Sequence, residues 1–139
     1  MLYFAYGMNT NVEGMARRCP AAISLGYAKL LEHKFRFAGP ADVVKCSGSY
    51  VEGVLWSITD QCLGSLDLFE GYPYYYNRRH RNVLFEGRTV KALTYFMQPG
   101  NIDSPPSTGY FEMVKEGYRE HGGPLDQLYN AREACYYES

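Results

Sequence analysis

The sequence predicts a mixed α+β fold. Strand-like and helix-like segments alternate irregularly along 139 residues, one strand is apolar on both faces, and two late strands are joined by a short glycine turn. A doubly wound sheet would need a regular strand–helix alternation, which is missing. The length predicts one domain over residues 1–139, large enough to bury a real core.

The first element sets up the rest. Leu2 to Tyr6 has the apolar, aromatic character of a buried strand. Gly7 follows, with backbone angles closed to other residues and no side chain to hold a ligand away. Asn9 and Thr10 are good helix N-caps, and Thr10 with Glu13 fits a capping box. Strand, glycine elbow and helix start in succession would aim free N–H groups at one place, which suits a carboxylate. A plain β-to-α connection is the bland alternative.

The first helix is expected from about Asn11 to Arg18, before Pro20, with Val12, Met15 and Ala16 as its apolar face. Ala21 to Tyr27 reads as a connector around Gly26. Lys29 to Ala38 reads as a strand broken by Gly39-Pro40, and Ala41 to Gly48 as a loop or irregular strand. Tyr50 to Ile58 is a strand with Val51, Gly53 and Leu55 facing one way and Val54, Trp56 and Ile58 the other, hence a buried central strand. Gly53 in its middle marks a bulge or a close backbone approach. Thr59-Asp60 starts a helix with Leu63 and Leu66 inward, stopped by Gly71 and Pro73. After the run Tyr72-Pro73-Tyr74-Tyr75-Tyr76, Arg79 to Phe85 and Thr89 to Met97 form a hairpin turning at Glu86-Gly87-Arg88. Ser107 or Thr108 caps a helix to about Glu120, and Pro124 opens a last one from about Leu125 to Ala134.

Composition excludes several classes of function. A net charge of -1 gives no reason to expect a nucleic-acid surface or a polybasic membrane patch. No stretch approaches ~18 consecutive apolar residues, and no basic leader precedes the first strand. Cys19, Cys46, Cys62 and Cys135 show no Cys-x-x-Cys spacing and read as reduced thiols of a cytoplasmic protein. His33, His80 and His121 have no metal-ligand spacing, so no metal is expected. The 14 tyrosines suggest a pocket or interface lined with phenols.

Among residues able to do chemistry, Glu70 stands out. It closes a helix, where the dipole disfavours negative charge, and Phe69, Tyr72 and Tyr74 to Tyr76 can desolvate it. Both effects raise proton affinity and suit a general acid–base. An ordinary surface glutamate before a C-cap glycine is the alternative. Asp67 lies one turn earlier and could pair with Glu70. Arg78, Arg79 and Arg81 form either an anion patch or an exposed sheet face, and strand alternation, which splits them between faces, favours the second. Cys19 and Cys62 lack an adjacent base and read as structural thiols.

Several stretches then match one family together: Tyr6-Gly7-Met8-Asn9, Gly53-Val54-Leu55-Trp56, Leu66-Asp67-Leu68-Phe69-Glu70-Gly71, Tyr76-Asn77-Arg78 and Pro106-Ser107-Thr108-Gly109-Tyr110. The chain resembles the γ-glutamylcyclotransferase-like family, to about Leu128. The resemblance implies a small mixed β-barrel flanked by helices. It also implies cyclisation of a small γ-glutamyl substrate to 5-oxoproline with release of an amine or amino acid, needing no cofactor. It assigns Glu70 as acid–base, the loop Tyr6, Gly7, Met8 and Asn9 to the glutamyl end, and Tyr76 and Tyr110 to the pocket. The family's commonest loop is Tyr-Gly-Ser-Asn; Met8 stands in the serine position, which is harmless if that residue acts through its backbone. The Glu70-to-Tyr76 spacing is nearer the Glu-Gly-Tyr-Pro form than the longer loop of the glutathione-cycle enzymes. Two alternatives stand beside cyclotransfer: removal of a γ-glutamyl protecting group from a biosynthetic intermediate, and non-catalytic small-molecule binding on the same fold. The C-terminal Ala134-Cys135-Tyr136-Tyr137 either packs on the domain or forms an interface, as in a homodimer.

Overall fold

In the computed structural model, which describes residues 1–137, the short apolar run at the N-terminus becomes strand β1, Leu2–Ala5. A single 3₁₀ turn over Met8–Thr10 separates it from helix α1, Val12–Arg18. The cap of α1 is Asn11, whose side chain accepts from the Gly14 N–H at 3.0 Å. The expected caps do other work: the Thr10 hydroxyl donates back to the Gly7 carbonyl at 2.8 Å. The extra turn consumes the residues that a direct strand-to-helix step would have used as caps. Met15 is buried under α1 while Val12 and Ala16 are exposed, because the helix meets the core along a narrow seam.

Strands β2 (Ile23–Phe37) and β3 (Ala41–Ser57) form a long antiparallel hairpin, much longer than the sequence suggests. The supposed connector and loop are both parts of strands. Gly26, at φ 119°, is a bulge in β2 rather than a break, and a second register shift falls at Glu32, opposite Cys46 to Ser49. Thr59 then caps helix α2, Asp60–Glu70, by accepting from the Cys62 N–H, and Gly71 ends it in the left-handed conformation. Strands β4 (Tyr76–Phe85) and β5 (Arg88–Met97) pair in full register around Glu86-Gly87, both with positive φ. Ser107 caps α3, Thr108–Glu120, and α4 runs over Asp126–Tyr137. Ala134 to Tyr137 thus continue that helix, with Tyr136 and Tyr137 exposed and Cys135 packed against the core.

The sheet closes as a barrel in the order β1-β3-β2-β4-β5. Most pairings are antiparallel; the closing contact of β1 with β5, at Tyr3 and Leu93, is parallel. Alternation along β1 and β3 builds two cores. Phe4, Tyr6, Val51 and Leu55 face one that is covered by Phe111, Val114 and Tyr118 of α3 and Leu128 of α4. Tyr3, Ala5, Val54 and Trp56 face the other, with Met15 of α1 and Cys62 and Leu66 of α2. Gly53 lets β1 cross: a Cβ there would lie 2.3 Å from the Ala5 carbonyl oxygen and 2.7 Å from Phe4 Cζ. No helix among the described residues is long and apolar enough to cross a membrane.

Because backbone, not a flexible side chain, blocks a Cβ at position 53, Gly53→Ala is expected to destabilise the fold by about 3 kcal/mol, near the upper end for overpacking. Urea denaturation of both proteins measures this; an unchanged midpoint would mean that β1 does not cross so closely.

Candidate active site

Tyr6 is the last residue before the loop, and two hydrogen bonds fix its position. Its hydroxyl donates to the Tyr95 carbonyl at 2.8 Å, and its own carbonyl accepts from the Tyr118 hydroxyl at 2.6 Å. Gly7 then passes so close to Ala41 and Tyr110 that a Cβ would meet both at 3.1 Å. Its φ of -117° is ordinary, so proximity and not left-handed geometry explains the glycine. α3 holds the far side of the loop: Asn11 donates to the Met113 carbonyl at 3.1 Å, and the Val12 N–H donates to Glu120 at 3.0 Å. The first amides of α1 are thereby taken by protein groups, and the expected anion site at that helix start is filled from within.

The loop, the end of α2 and the start of β3 enclose a cavity of about 160 Å³. This is well below the ~300–1,000 Å³ of drug-sized ligand sites and suits one amino-acid-sized group. Tyr6, Gly7, Met8, Asn9, Glu70, Tyr76 and Tyr110 all line it, so the residues that the family resemblance assigned to the site converge there. The phenol-rich composition has the same explanation, since Tyr3, Tyr75 and Tyr95 join the wall. Tyr74 does not: it is 90% exposed. Tyr72 lies under the Arg78 guanidinium at 4.2 Å instead of over Glu70. Asp67 also turns away from Glu70, toward an ion pair with Arg78 and a hydrogen bond from the Tyr95 hydroxyl at 2.6 Å.

Glu70 is the single carboxylate in this wall. Burial among the tyrosines pushes its proton affinity up, to about 7, against the opposing pull of the Arg18 cation. Asn9, itself buried, reaches it: the side-chain amide N–H₂ donates to the Tyr3 hydroxyl at 3.0 Å and to Glu70 Oε1 at 3.3 Å. The amide is oriented from behind. Arg18 Nε donates to Asn9 Oδ1 at 2.7 Å, and the guanidinium stacks 3.9 Å over the Phe69 ring. Arg18 and Tyr3 escaped the sequence reading. Strand alternation puts Tyr3 and Tyr6 on opposite faces, but β1 ends at Ala5, and the loop brings both to one cavity.

Two hydroxyls meet at Ala41. Tyr76 donates to the Ala41 carbonyl at 2.6 Å, and Tyr110 accepts from the Ala41 N–H at 3.0 Å. Tyr76 spends its proton on the backbone. Tyr110 also accepts from the Met8 N–H and keeps its own proton. Cys19 is no nucleophile candidate: its thiol donates to the Cys62 carbonyl, and burial pushes it up to about 12. Among the described residues, no group of His, Cys, Asp and Glu is placed to hold a metal.

A compact barrel with one buried carboxyl facing a tyrosine-lined cavity defines a class that comparison with known proteins identifies. Residues 3–118 match the family model described as Gamma-glutamyl cyclotransferase, AIG2-like, and the chain belongs to that family. The Gamma-glutamylcyclotransferases of Bos taurus and Homo sapiens are each 31% identical over 140 residues, covering 90% of this chain and 73% of the relative. A solved structure named Gamma-glutamyl cyclotransferase superposes with a TM-score of 0.85 at 28% identity, over 95% of this chain and 86% of that one. YkqA from Bacillus subtilis shares the fold, with a TM-score of 0.81 at 23% identity, over 99% of this chain and 54% of that one.

The raised Glu70 has a consequence for stability. An unfolded glutamate ionises in the ordinary range, so the native state resists ionisation, and its cost grows as pH rises toward about 7 and is complete above it. Glu70→Gln keeps the shape and the acceptor for Asn9 while removing the charge. It is expected to stabilise the fold by about 2–3 kcal/mol near pH ~8 and by little near pH ~4.5. Urea denaturation at the two pH values checks this; equal effects at both would mean that Glu70 ionises normally.

Proposed function

We propose that this chain is a γ-glutamyl cyclotransferase, converting a γ-glutamyl amino acid or γ-glutamyl amine to 5-oxoproline and a free amine. The observation that carries the reading is the carboxyl of Glu70, alone in a small cavity and tuned to about 7. Near neutral pH such a group is nearly as ready to take a proton as to return it, which the reaction requires of it twice. The ionised carboxylate removes a proton from the substrate's α-ammonium. The freed amine attacks the γ-carbonyl carbon, the new C–N bond closes a five-membered ring, and the carbonyl electrons move onto oxygen. As that oxyanion collapses, Glu70 returns the proton to the departing nitrogen and the old C–N bond breaks; the freed carboxylate then takes the second proton from the new ring nitrogen, leaving the neutral lactam, and passes it to the released amine, which departs as an ammonium. Attack is intramolecular, so holding the glutamyl chain bent supplies much of the rate.

The remaining residues divide the binding. Asn9 fixes the Glu70 carboxyl, the Met8 N–H holds the Tyr110 hydroxyl, and the loop backbone at Gly7 and Asn9 takes the substrate's carboxylate or developing oxyanion. Met8 fills the serine position of the commoner loop and serves through its main chain. Tyr110 has a proton to donate into the cavity, whereas Tyr76 acts as a wall. The mechanism uses no cofactor, and one domain carries all these parts.

Release of 5-oxoproline from a panel of γ-glutamyl amino acids and γ-glutamyl amines tests the reading, with Glu70→Gln alongside. Wild-type release is expected to rise with pH through an inflection near 7, and the variant to lose at least about a hundredfold while staying folded. The best substrate names the leaving group. Full activity in Glu70→Gln would remove Glu70 from the mechanism. Binding without release by the wild type would leave the chain a binding domain, and release confined to bulky amines would favour removal of a protecting group.

A further inference from the structure

A second constellation lies on the other side of the start of β3. Ala41 faces the tyrosine-lined cavity, and its neighbour Asp42 faces a separate groove of about 460 Å³. The groove exists because the barrel splays. β2 and β4 pair at Lys29–Leu84 and Leu30–Val83, and the irregularity at Glu32, a non-glycine residue at φ 61°, carries β2 away beyond that point. Along the opening stand His33 of β2, Lys45 of β3, and Arg79 and Arg81 of β4, with Phe96 of β5 beneath.

Asp42, the carboxylate in the groove wall, is occupied: it accepts from Arg36 Nε and from the Met97 N–H, both at 2.8 Å. The remaining arms of Arg36 go to Asp103 and the Asn101 carbonyl. Among the described residues, Lys45, Arg79 and Arg81 take part in no salt bridge. Two polar atoms in the groove are also buried with no hydrogen-bond partner, Arg81 Nε and His33 Nε2. His33 is only 6% exposed, and its other nitrogen, Nδ1, is bonded to the Leu31 carbonyl at 2.7 Å. The Arg79 and Arg81 guanidinium groups lie 5.9 and 4.8 Å from the Phe96 ring, so their stems are ordered against an aromatic face. Orphaned buried polar atoms and uncompensated like charges both cost stability, and an anion in the groove would relieve the second of these.

We propose that the groove between the splayed ends of β2 and β4 is a second binding site, in which Lys45, Arg79 and Arg81 hold a small multivalent oxyanion, a phosphate or phosphate ester, above the buried His33. A monocarboxylate would neutralise too little of the charge. A compact tetrahedral group can meet Lys45 and the guanidinium groups of Arg79 and Arg81 together at the groove surface, with Arg81 Nε and His33 Nε2 closed off from solvent beneath it. His33 is the reporter. Burial holds its proton affinity down, followed by the Arg81 and Lys45 charges, while the Leu31 carbonyl and Glu32 oppose them. A bound dianion offsets the Arg81 and Lys45 charges, so the proton affinity of the imidazole rises. The site does not depend on the cyclotransferase reading.

The test is a titration of the folded protein with inorganic phosphate, pyrophosphate and glycerol phosphate at constant ionic strength, followed by NMR of the His33 imidazole. Saturable binding that raises the midpoint of His33 ionisation is expected. Preference for the ester or for the free ion identifies the source of the group. Arg79→Gln, at an exposed position, and Arg81→Gln are each expected to weaken binding about tenfold, the loss for one charge-assisted hydrogen bond. Glu70→Gln should bind as the wild type does. No shift of His33 with any of the three anions, or undiminished binding by both arginine variants, would overturn the proposal.

Discussion

A carboxyl kept where a carboxylate is unwelcome is the constraint around which this molecule is arranged. Glu70 ends α2 beside phenol rings, and burial outweighs the distant help of Arg18. Nothing in a helix end alone would hold it facing inward. The Asn9 amide does so, and its orientation follows from a chain of contacts: the Phe69 ring under Arg18, Arg18 on Asn9 Oδ1, and Asn9 N–H₂ on Tyr3 and Glu70. Phe69 and Glu70 are neighbours, so α2 supplies both ends of that chain. Asn9, which fixes the carboxyl, and Arg18, which fixes the amide, thus belong to one connected network of side-chain contacts.

The barrel makes this possible by bringing distant segments to one edge. β1 ends after Ala5, and its loop meets Ala41 of β3, Tyr110 of α3 and the end of α2. Close approach is the recurring device: Gly53 admits β1 across β3, and Gly7 admits the loop against Ala41 and Tyr110. Hydroxyls do the fastening. Tyr6, Tyr76 and Tyr118 each give a proton to a buried carbonyl, satisfying backbone groups that the irregular edge would otherwise leave unpaired.

Local chemistry made part of this legible in the sequence. α2 was readable because Thr59 and Gly71 are unambiguous end signals, and the β4–β5 hairpin because Glu86-Gly87 interrupts two strand-like runs. Gly53 stood out as a glycine inside an apolar strand. The β2–β3 hairpin was hidden for the same reason in reverse: Gly26, Glu32 and Gly48 are bulge and turn positions, and a bulge looks like a break to any reading based on period. The cap of α1 shifted to Asn11 because an unheralded 3₁₀ turn came first. In the site, the loop, Glu70, Tyr76 and Tyr110 were visible through motif resemblance. Arg18 and Tyr3 were not, since their roles come from packing across elements; of the readings open for Asp67, pairing with Glu70 does not occur, because its partners, Arg78 and Tyr95, lie on β4 and β5.

The most direct test of the central claim is the ionisation of Glu70 itself. Carboxyl ¹³C NMR of the labelled wild-type protein, assigned by comparison with Glu70→Gln, follows it without substrate or turnover. A midpoint near 7 is predicted, set by the burial of the side chain. A midpoint in the ordinary glutamate range of about 4.3 would contradict it, and Glu70 would then be a solvated surface carboxylate with no capacity to carry a proton in both directions at neutral pH.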